Sequence, residues 1–458
     1  MSSTDKPDVI IFMTDEERAI PPYETPEVLE WRDKALTGRN WFRDNGVSFN
    51  RHYTGSLACV PSRPTLFTGQ FPDVHGVTQT DGLGKDAYDT RMRWLPPREV
   101  PTLGHWFRAA GYDTHYDGKW HISHADLIDE STGQPLATNT SDGTIIQDAV
   151  EQYLEVNPLN EYGFSGWVGP EPHGGLLGNS GIIRDPLIAD RTVNWLEDRY
   201  RRRNQGDSDA LKPFLLVVSF VNPHDIVLLP LYMRRPENNP YLPCDLDPPE
   251  IPIPPTRYED LSSKPAAQVA YKHSYYSGYG IQRAVQRIYE NNEQEYRNLY
   301  YRMHLEVDNP LDMVRKAVTD DTSREKIIFR TSDHGDLLGA HGGLHQKWFN
   351  LYDESTRVPF EIVTYGNEEP RRGVIESVPT SHVDLIPTAL ALAGLDQQAL
   401  EKQLAPEFTE FHPLPGKDLS PLLEDPNAEE FRNRAVYFMT RDNMLEGDTL
   451  ASAMARGL

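Results

Sequence analysis

Four side chains that could ligate a metal follow two apolar runs of this sequence. They are Asp15 and Glu16 after residues 8–13, and Asp333 and His334 after residues 327–329. Short apolar runs rich in β-branched residues predict buried strands of a parallel sheet. The carboxyl ends of such strands meet at one edge of the sheet, where ligands bind in open α/β folds. We therefore expect three carboxylates and one imidazole to converge, and carboxylates that converge need a cation to offset their repulsion.

The donor types indicate which cation this set would hold. Carboxylate oxygens with one imidazole suit Ca²⁺, Mg²⁺ or Mn²⁺ better than a soft metal. A further apolar run, residues 214–220, is followed by Pro223, His224 and Asp225 and predicts a third strand that ends at the same edge.

The segment around Cys59 carries the most specific pattern in the chain. Cys59 is followed at fixed steps by Pro61, Ser62 and Arg63, and the segment continues into a Thr-Gly pair. An arbitrary cysteine before a predicted helix is most often a small buried residue. This pattern, however, resembles the signature at which sulfatases of the alkaline phosphatase superfamily have their cysteine oxidised to formylglycine.

The resemblance extends over nearly the whole sequence, in the order that the family shows. The matching elements are Asp15, Gly118-Lys119-Trp120-His121, Pro223-His224, Ser332-Asp333-His334-Gly335, Gly339-Ala340-His341-Gly342, Lys347 and Arg357-Val358-Pro359. Each element alone is a weak signal, because Asp-His pairs often cap turns and lysines usually lie on surfaces. Their common order identifies the chain, by resemblance, as a formylglycine-dependent sulfatase.

The resemblance implies one divalent cation and a ligand set for it. The implied ligands are Asp15, Glu16, Cys59, Asp333 and His334. Many family members have Asp at the position of Glu16 and Asn at that of His334, whereas choline sulfatases and phosphonate monoester hydrolases also carry Asp-His. Ca²⁺ is the expected ion. Mn²⁺ and Mg²⁺ are the alternatives, and an imidazole ligand favours Mn²⁺ more than an asparagine would.

A mechanism is implied as well. Residue 59 would act as the hydrated aldehyde, a gem-diol whose metal-activated hydroxyl attacks sulfur in line and expels the alcohol, leaving a covalent sulfo-enzyme. Deprotonation of the second hydroxyl would then eject sulfate by C–O cleavage and regenerate the aldehyde. In this scheme Arg63 stabilises the gem-diol, and Lys119, His224 and Lys347 hold the sulfate oxygens. His121 and His224 are both candidates for the general acid.

The predicted function is hydrolysis of small aryl or alkyl sulfate esters to an alcohol and inorganic sulfate. A second hypothesis keeps the same site and changes the substrate to a phosphonate monoester or phosphodiester, because families with that activity also carry Asp-His. A third is a catalytically silent, metal-binding homologue in which Cys59 stays a thiol. A small-molecule sulfate ester and the formylglycine-generating maturation enzyme are the expected partners, and a homo-oligomer is an open alternative to a monomer.

Predicted strands and helices alternate along the chain. This pattern indicates an α/β fold with a large, mostly parallel sheet sandwiched by helices, and the resemblance implies the arrangement of alkaline phosphatase. Residues 1–378 are predicted to form the catalytic domain, and residues 379–458 a short C-terminal α+β subdomain that is either reduced or truncated. Predicted helices are 102–110, 281–305 and 381–393, the last with a kink at Pro387, and residues 429–439 predict a helix that leads into a strand. Residues 201–209 predict a solvated loop and residues 230–255 an irregular excursion.

Composition narrows the class of protein further. The 458 residues carry 69 acidic and 45 basic side chains, a formal charge of -24 that argues against nucleic acid or an anionic membrane surface as partner. Two cysteines are too few for a disulfide framework, and Cys244 receives no role. The N-terminal residues show no secretory signal pattern, so we expect a cytoplasmic protein. Trp94, Trp120, Trp167 and Trp348 are candidates for lining the pocket, with core packing as the favoured role for most of them.

Overall fold

A computed structural model describes residues 6–82, 85, 87–172, 175–270, 272, 282–347, 350–366 and 371–442. The strands are β1 (Asp8–Asp15), β2 (Val47–Phe49), β3 (His52–Tyr53), β4 (Asp113–Gly118), β5 (Ile128–Asp129), β6 (Gln134–Pro135), β7 (Phe214–Pro223), β8 (Lys326–Ser332), β9 (Phe360–Tyr365), β10 (Gly373–Ile375) and β11 (Thr380–Ser381). The α-helices are Pro26–Ala35, Thr37–Asn45, Cys59–Thr68, Pro72–His75, Leu103–Ala109, Gln147–Val156, Gly181–Asn204, Leu229–Arg234, Gln282–Asn291, Glu293–Asp320, Ala340–Gly343, Asp353–Thr356, Leu385–Leu392, Gln397–Leu404 and Ser420–Glu424. Short 3₁₀ turns are Asn160–Tyr162, Leu177–Asn179, His224–Leu228, Pro236–Asn238, Leu261–Ser263, His382–Asp384, Ala405–Glu407 and Glu429–Phe431.

Seven strands form one sheet in the order β10-β2-β9-β8-β1-β7-β4. Strands β8, β1, β7 and β4 are parallel to one another, and β9 is antiparallel to both of its neighbours. The register places Val9 of β1 opposite Leu215 on one side and Ile327 on the other. The carboxyl ends of four neighbouring strands therefore lie along the same edge, and the large, mostly parallel sheet predicted from the sequence is confirmed.

Strand β1 shows why these apolar runs form the centre of the sheet. Successive side chains of a strand point to opposite faces. Val9, Ile11 and Met13 accordingly join one hydrophobic cluster, while Ile10 and Phe12 join another. All five side chains are fully buried. A continuous apolar run is the pattern required of a strand that is covered by other elements on both faces.

The helices agree with the sequence in position and differ in length. The predicted helix 102–110 is confirmed as Leu103–Ala109, with Thr102 as its N-cap. The predicted single helix 281–305 is wrong in two respects: the chain forms two helices there, Gln282–Asn291 and Glu293–Asp320, and the second continues past residue 305. The helix Glu293–Asp320 continues for four more turns because buried apolar side chains recur along it at the helical period. Residue 281, the predicted start of this segment, lies outside the described residues.

The C-terminal segment departs from two predictions. Pro387 lies in the first turn of the helix Leu385–Leu392, where a missing N–H breaks no helical hydrogen bond, so the predicted interior kink is wrong. The predicted strand before residue 439 is also wrong, because the described chain after Glu429–Phe431 carries no strand up to residue 442. Leu385, Leu390 and Phe431 pack in the same cluster as β1. The boundary at residue 378 stays a prediction.

Two segments were predicted to lack regular structure, and the structure agrees for most of one and contradicts part of the other. Residues 230–255 were predicted to be irregular, and after Leu229–Arg234 and a single 3₁₀ turn they contain no regular element, with Cys244 exposed. The solvated loop predicted at residues 201–209 is wrong for its first part, because the helix Gly181–Asn204 runs through it. Arg203 is buried there and its guanidinium binds the fully buried carboxylate of Asp8, with Nη1–Oδ2 at 2.7 Å and Nη2–Oδ1 at 3.0 Å.

This ion pair fixes the helix end against the start of β1, and we expect Arg203→Ala to cost about 3 to 5 kcal/mol of unfolding free energy. The substitution removes the guanidinium that binds both oxygens of the buried Asp8 carboxylate and leaves the Phe214 N–H and the more distant Arg324 Nε, 3.9 Å from Oδ1. Arg201→Ala is the matched control, since Arg201 is an exposed partner of Asp198 on the same turn and should cost less than about 0.5 kcal/mol. Urea unfolding of the three proteins measures both values, and equal stabilities for the two variants would contradict a structural role for Arg203.

Among the described helices, none combines the length and the apolar character needed to cross a membrane.

Candidate active site

Four neighbouring strands each deliver a polar side chain to the carboxyl edge of the sheet. Strand β1 ends at Asp15, and β8 is followed directly by Asp333. Strand β7 leads into His224, and β4 leads into Lys119, whose backbone N–H donates to the Ser219 carbonyl of β7 at 2.8 Å. The order β8-β1-β7-β4 places these ends side by side. The convergence expected from the sequence follows from parallel pairing alone.

The centre of the site is a group formed by Asp15, Cys59, Asp333 and His334. One ligand atom from each side chain lies within 4.8 Å of all the others, and all four residues are buried. The Cys59 Sγ lies 3.7 Å from an Asp15 carboxylate oxygen and 3.0 Å from His334 Nε2. Two carboxylates and an imidazole arranged in this way fit a divalent cation that prefers oxygen and nitrogen ligands.

The orientation of His334 supports this fit. Its Nδ1 lies 3.0 Å from the Gly335 carbonyl oxygen. A carbonyl oxygen only accepts hydrogen bonds, so Nδ1 carries the proton and donates it. That hydrogen bond leaves the lone pair on Nε2, the atom that faces Cys59, Asp15 and Asp333. Fixing the tautomer of a histidine through its second nitrogen is what partners of metal ligands do in proteins.

Arg63 binds both carboxylates of this group. Its Nη1 lies 3.3 Å from Asp15 Oδ2 and 3.1 Å from Asp333 Oδ2, and the guanidinium is fully buried. Its Nε and Nη2 donate to Trp120, Tyr116, Lys119 and Ser219. These contacts leave Arg63 one fixed orientation, and its charge offsets part of the repulsion between the two carboxylates.

Glu16 lies in a second group of candidate metal ligands, beside the first, and its role as a ligand stays a prediction. Its carboxylate groups with Asp15 and His224, within 4.8 Å, and is not part of the four-residue group. One oxygen, Oε2, lies 2.8 Å from Lys347 Nζ, and the other has no hydrogen-bond partner among the described residues. The backbone turns sharply here, with φ of 67° at Glu16, and its N–H donates to Asp333. Glu16 therefore links Lys347 to the candidate metal ligand Asp15.

The remaining predicted residues divide between this centre and its surroundings. Lys119 Nζ lies 2.8 Å from Asp15 Oδ2, at the centre. His121, two residues on, has its Nε2 3.0 Å from Asp81 Oδ1, its backbone N–H donates to Glu171, and its ring contacts Trp94. Of the tryptophans, Trp120 and Trp167 are core residues, Trp94 lines a cavity beside His121, and Trp348 lies outside the described residues.

The charged groups of the site are buried, and their mutual interactions shift the pKa values of Asp15 and Cys59. Burial alone would raise the pKa of the Asp15 carboxyl, but Lys119, His224, His334 and Arg63 hold that pKa well below its ordinary value. Burial, with the Asp15 carboxylate next, raises the pKa of the Cys59 thiol to about 12. The carboxylate is therefore anionic and ready to bind a cation, whereas the unmodified thiol stays protonated at neutral pH.

Sequence reasoning missed the residues that hold the active elements in place. Ser62 Oγ donates to the Asp333 carbonyl at 2.5 Å and ties the Cys59 helix to the end of β8. The Glu171 carboxylate accepts the backbone N–H groups of Trp120 and His121 at 3.0 and 2.9 Å. Ser62 lies inside the Cys59 motif and could have been found from it. Glu171 lies in a segment rich in proline and glycine, and no local sequence pattern there indicates a role for it.

Comparison with known proteins places this geometry in a family. The family model for sulfatases matches residues 8–395. The chain is 28% identical to an uncharacterized sulfatase, YidJ, of Escherichia coli over 77% of this chain and 61% of that protein. It is 25% identical to a choline-sulfatase of Rhizobium meliloti over 86% of this chain and 69% of that protein.

Solved structures show the same fold. A phosphonate monoester hydrolase of Agrobacterium radiobacter superposes with a TM-score of 0.61 at 20% identity, covering 99% of this chain and 83% of that one. A putative sulfatase from Bacteroides thetaiotaomicron gives 0.58 at 20% identity, covering 93% and 76%. The chain thus spans about 61 to 69% of the length of the two curated relatives above. With the motif order, the strand-end geometry and a family match over most of its length, the chain belongs to the sulfatase family.

Proposed function

We propose that this protein hydrolyses sulfate esters to an alcohol and inorganic sulfate, with residue 59 acting as formylglycine and one divalent cation bound beside it. The observation that carries the proposal is the buried group of Asp15, Cys59, Asp333 and His334, in which the modified residue would lie among metal ligands. Cys59 is the first residue of the helix Cys59–Thr68, so unpaired backbone N–H groups of its first turn favour an anion nearby.

Two groups would complete the chemistry. Residue 59 as formylglycine hydrate would offer a nucleophilic oxygen and a second hydroxyl for release of sulfate, and a cation, which Asp15, Asp333, His334 and Glu16 could hold, would supply Lewis acidity. Ca²⁺ is the proposed ion, with Mn²⁺ or Mg²⁺ as alternatives. The thiol must be oxidised by a maturation enzyme, because a protonated cysteine offers neither hydroxyl.

The chain's own residues bind and orient the sulfate group. Lys119 pairs with Asp15 and Lys347 with Glu16, and each ammonium group can turn toward sulfate oxygens. His224 lies next to Asp15 and Glu16, and His121 is held by Asp81. Both histidines remain candidates for the proton that the leaving alcohol takes up. Arg63 keeps the carboxylates in place throughout.

The test compares kcat/KM for 4-nitrophenyl sulfate and for a 4-nitrophenyl phosphonate on protein whose formylglycine content is measured by mass spectrometry. We expect the sulfate to be preferred by at least about tenfold, a difference of about 1.4 kcal/mol between the two transition states. The second candidate, hydrolysis of phosphonate monoesters, is favoured by the Nε2 of His334 beside Asp333. A tenfold preference for the phosphonate would establish it instead.

A further inference from the structure

The segment of residues 119–121 carries two of the groups proposed to act on the substrate. Lys119 Nζ lies 2.8 Å from Asp15 Oδ2, and His121 is one of the two candidates for the general acid. The segment follows the end of β4 and belongs to no helix or strand. A misplacement of about 1 Å in a group that acts on the substrate costs about 10²-fold in rate, so other contacts have to hold this backbone.

Two charged side chains bind this backbone, one at its carbonyl groups and the other at its N–H groups. The fully buried Arg63 donates from Nε to the Trp120 carbonyl at 2.8 Å and from Nη2 to the Lys119 carbonyl. The partly buried Glu171 carboxylate accepts the Trp120 N–H on Oε1 at 3.0 Å and the His121 N–H on Oε2 at 2.9 Å. All of these hydrogen bonds involve a charged group, and such bonds are the strong ones.

The backbone of His121 needs such a partner. Its φ is 51°, in the left-handed region that residues other than glycine rarely adopt. This conformation costs about 1 to 3 kcal/mol, and it persists only where surrounding contacts stabilise it. Successive N–H groups next to a left-handed residue converge and bind anions. The Glu171 carboxylate therefore stabilises a conformation that His121 would otherwise avoid. An amide at this position would place an NH₂ group against one of the two N–H donors.

The charge of Glu171 depends on its surroundings. Its own N–H donates to Asp126 Oδ1 at 2.7 Å. Burial, followed by the charge of Asp126, raises the pKa of Glu171 to about 7, although the His121 N–H, Lys119 and Arg63 act to lower it. Other titratable or charged groups that interact with this carboxyl are Arg184, Tyr116 and Tyr153. Glu171 is therefore ionised at alkaline pH and protonated at mildly acidic pH.

Resting on the proposed function, we propose that Glu171 is a positioning residue for sulfate ester hydrolysis: its ionised carboxylate, together with Arg63, holds the backbone that orients Lys119 and His121. Glu171 acts through the N–H groups of Trp120 and His121 and not on the substrate itself. Loss of its charge lets Lys119 and His121 move, while the contacts of Arg63 with Asp15 and Asp333 remain. The rate therefore falls without loss of the metal ligands.

The experiment measures kcat/KM of the wild type and of Glu171→Gln with 4-nitrophenyl sulfate, per mole of formylglycine, from about pH 5.5 to about pH 8.5. At the upper pH the variant should be slower by about tenfold. At the lower pH the ratio should fall below about twofold, because the wild-type carboxyl is then protonated and has lost the same charge. The titration of His121 is common to both proteins. A variant that only contained fewer folded molecules would differ from the wild type by one factor at every pH.

Glu24→Gln is the matched control. The Glu24 side chain is 2% exposed, and its two oxygens accept N–H groups of Arg32 at 2.6 and 2.7 Å, but it belongs to neither group of candidate metal ligands. Its kcat/KM should equal that of the wild type at every pH. Glu171→Gln is also made in Lys119→Ala and His121→Ala proteins, where its tenfold effect should shrink below about threefold in at least one. A ratio that does not change with pH, or a full effect in both backgrounds, overturns the inference while leaving sulfate hydrolysis intact.

A second measurement separates this inference from the proposed function. Calorimetry at about pH 8.5 compares binding of inorganic sulfate to metal-loaded wild type, Glu171→Gln and Glu24→Gln, without any turnover. If no sulfate ester is hydrolysed although residue 59 is formylglycine, the proposed function fails. In that case sulfate binding that is weakened about threefold or more in Glu171→Gln alone still supports the positioning of Lys119 by Glu171, and equal binding by the three proteins overturns it.

Discussion

Replacing Cys59 with alanine is expected to lower kcat/KM for sulfate esters by a factor of about 10⁵ or more, the scale on which loss of a nucleophile acts. The side chain is 2% exposed and lies between Asp15 and His334, so no neighbouring group is placed to take over its role. The change removes one sulfur atom from a tightly packed site and should cost little stability. Activity is measured with 4-nitrophenyl sulfate and folding by thermal unfolding.

Cys59→Ser provides the sharper version of this test. A serine hydroxyl can form a bond to sulfur while the S–O bond to the alcohol breaks, but it lacks the second hydroxyl through which sulfate would leave. We expect one equivalent of alcohol to be released in a burst, with the sulfate left on the protein and visible by mass spectrometry. Full steady-state activity of Cys59→Ala or Cys59→Ser would remove residue 59 from the mechanism.

The convergence of Asp15, Cys59, Asp333 and His334 could be predicted from the sequence because each of these residues belongs to a local pattern. Asp15, His224 and Asp333 follow apolar runs, and parallel strands must end at a common edge. Cys59 begins a helix, as the motif predicted. The core of the sheet could also be predicted from the sequence. A strand without polar positions, such as Val9 to Met13, has to be covered by other elements on both faces.

Other features escaped because they arise from contacts between distant parts of the chain. Arg203 looked solvated from its neighbours, and only the packing of its helix against β1 brings it to Asp8, 195 residues away in sequence. Glu171 binds the backbone of His121 across 50 residues, and the ion pair of Glu16 with Lys347 spans 331. None of these pairings follows from hydrophobic period or turn chemistry, because both are properties of short windows.

Asp333→Asn is expected to have the second largest effect, a loss of metal binding together with a fall in kcat/KM of about 10³, equivalent to about 4 kcal/mol of transition-state stabilisation. Asp333 accepts the N–H groups of Glu16 and His334 at 3.1 and 3.0 Å and the guanidinium of Arg63 at 3.1 Å, and it also faces the candidate cation. An asparagine keeps the shape and one acceptor oxygen but removes the negative charge that a divalent cation requires.

The matched control for this change is Asp308→Asn. Asp308 is also buried. It accepts the backbone N–H groups of Gly38 and Arg39 at 2.8 and 3.0 Å and the guanidinium of Arg39 at 3.0 Å, but it belongs to neither group of candidate metal ligands.

Both variants lose a buried carboxylate that pairs with an arginine, so both should unfold at lower temperature than the wild type. Only Asp333→Asn should lose the further rise in Tm that Ca²⁺ or Mn²⁺ gives to chelator-treated protein, because a ligand stabilises only the state that binds it. Metal content by mass spectrometry completes the comparison. An Asp333→Asn protein that keeps both its metal and its Tm response would place the cation elsewhere, at the group of Asp15, Glu16 and His224.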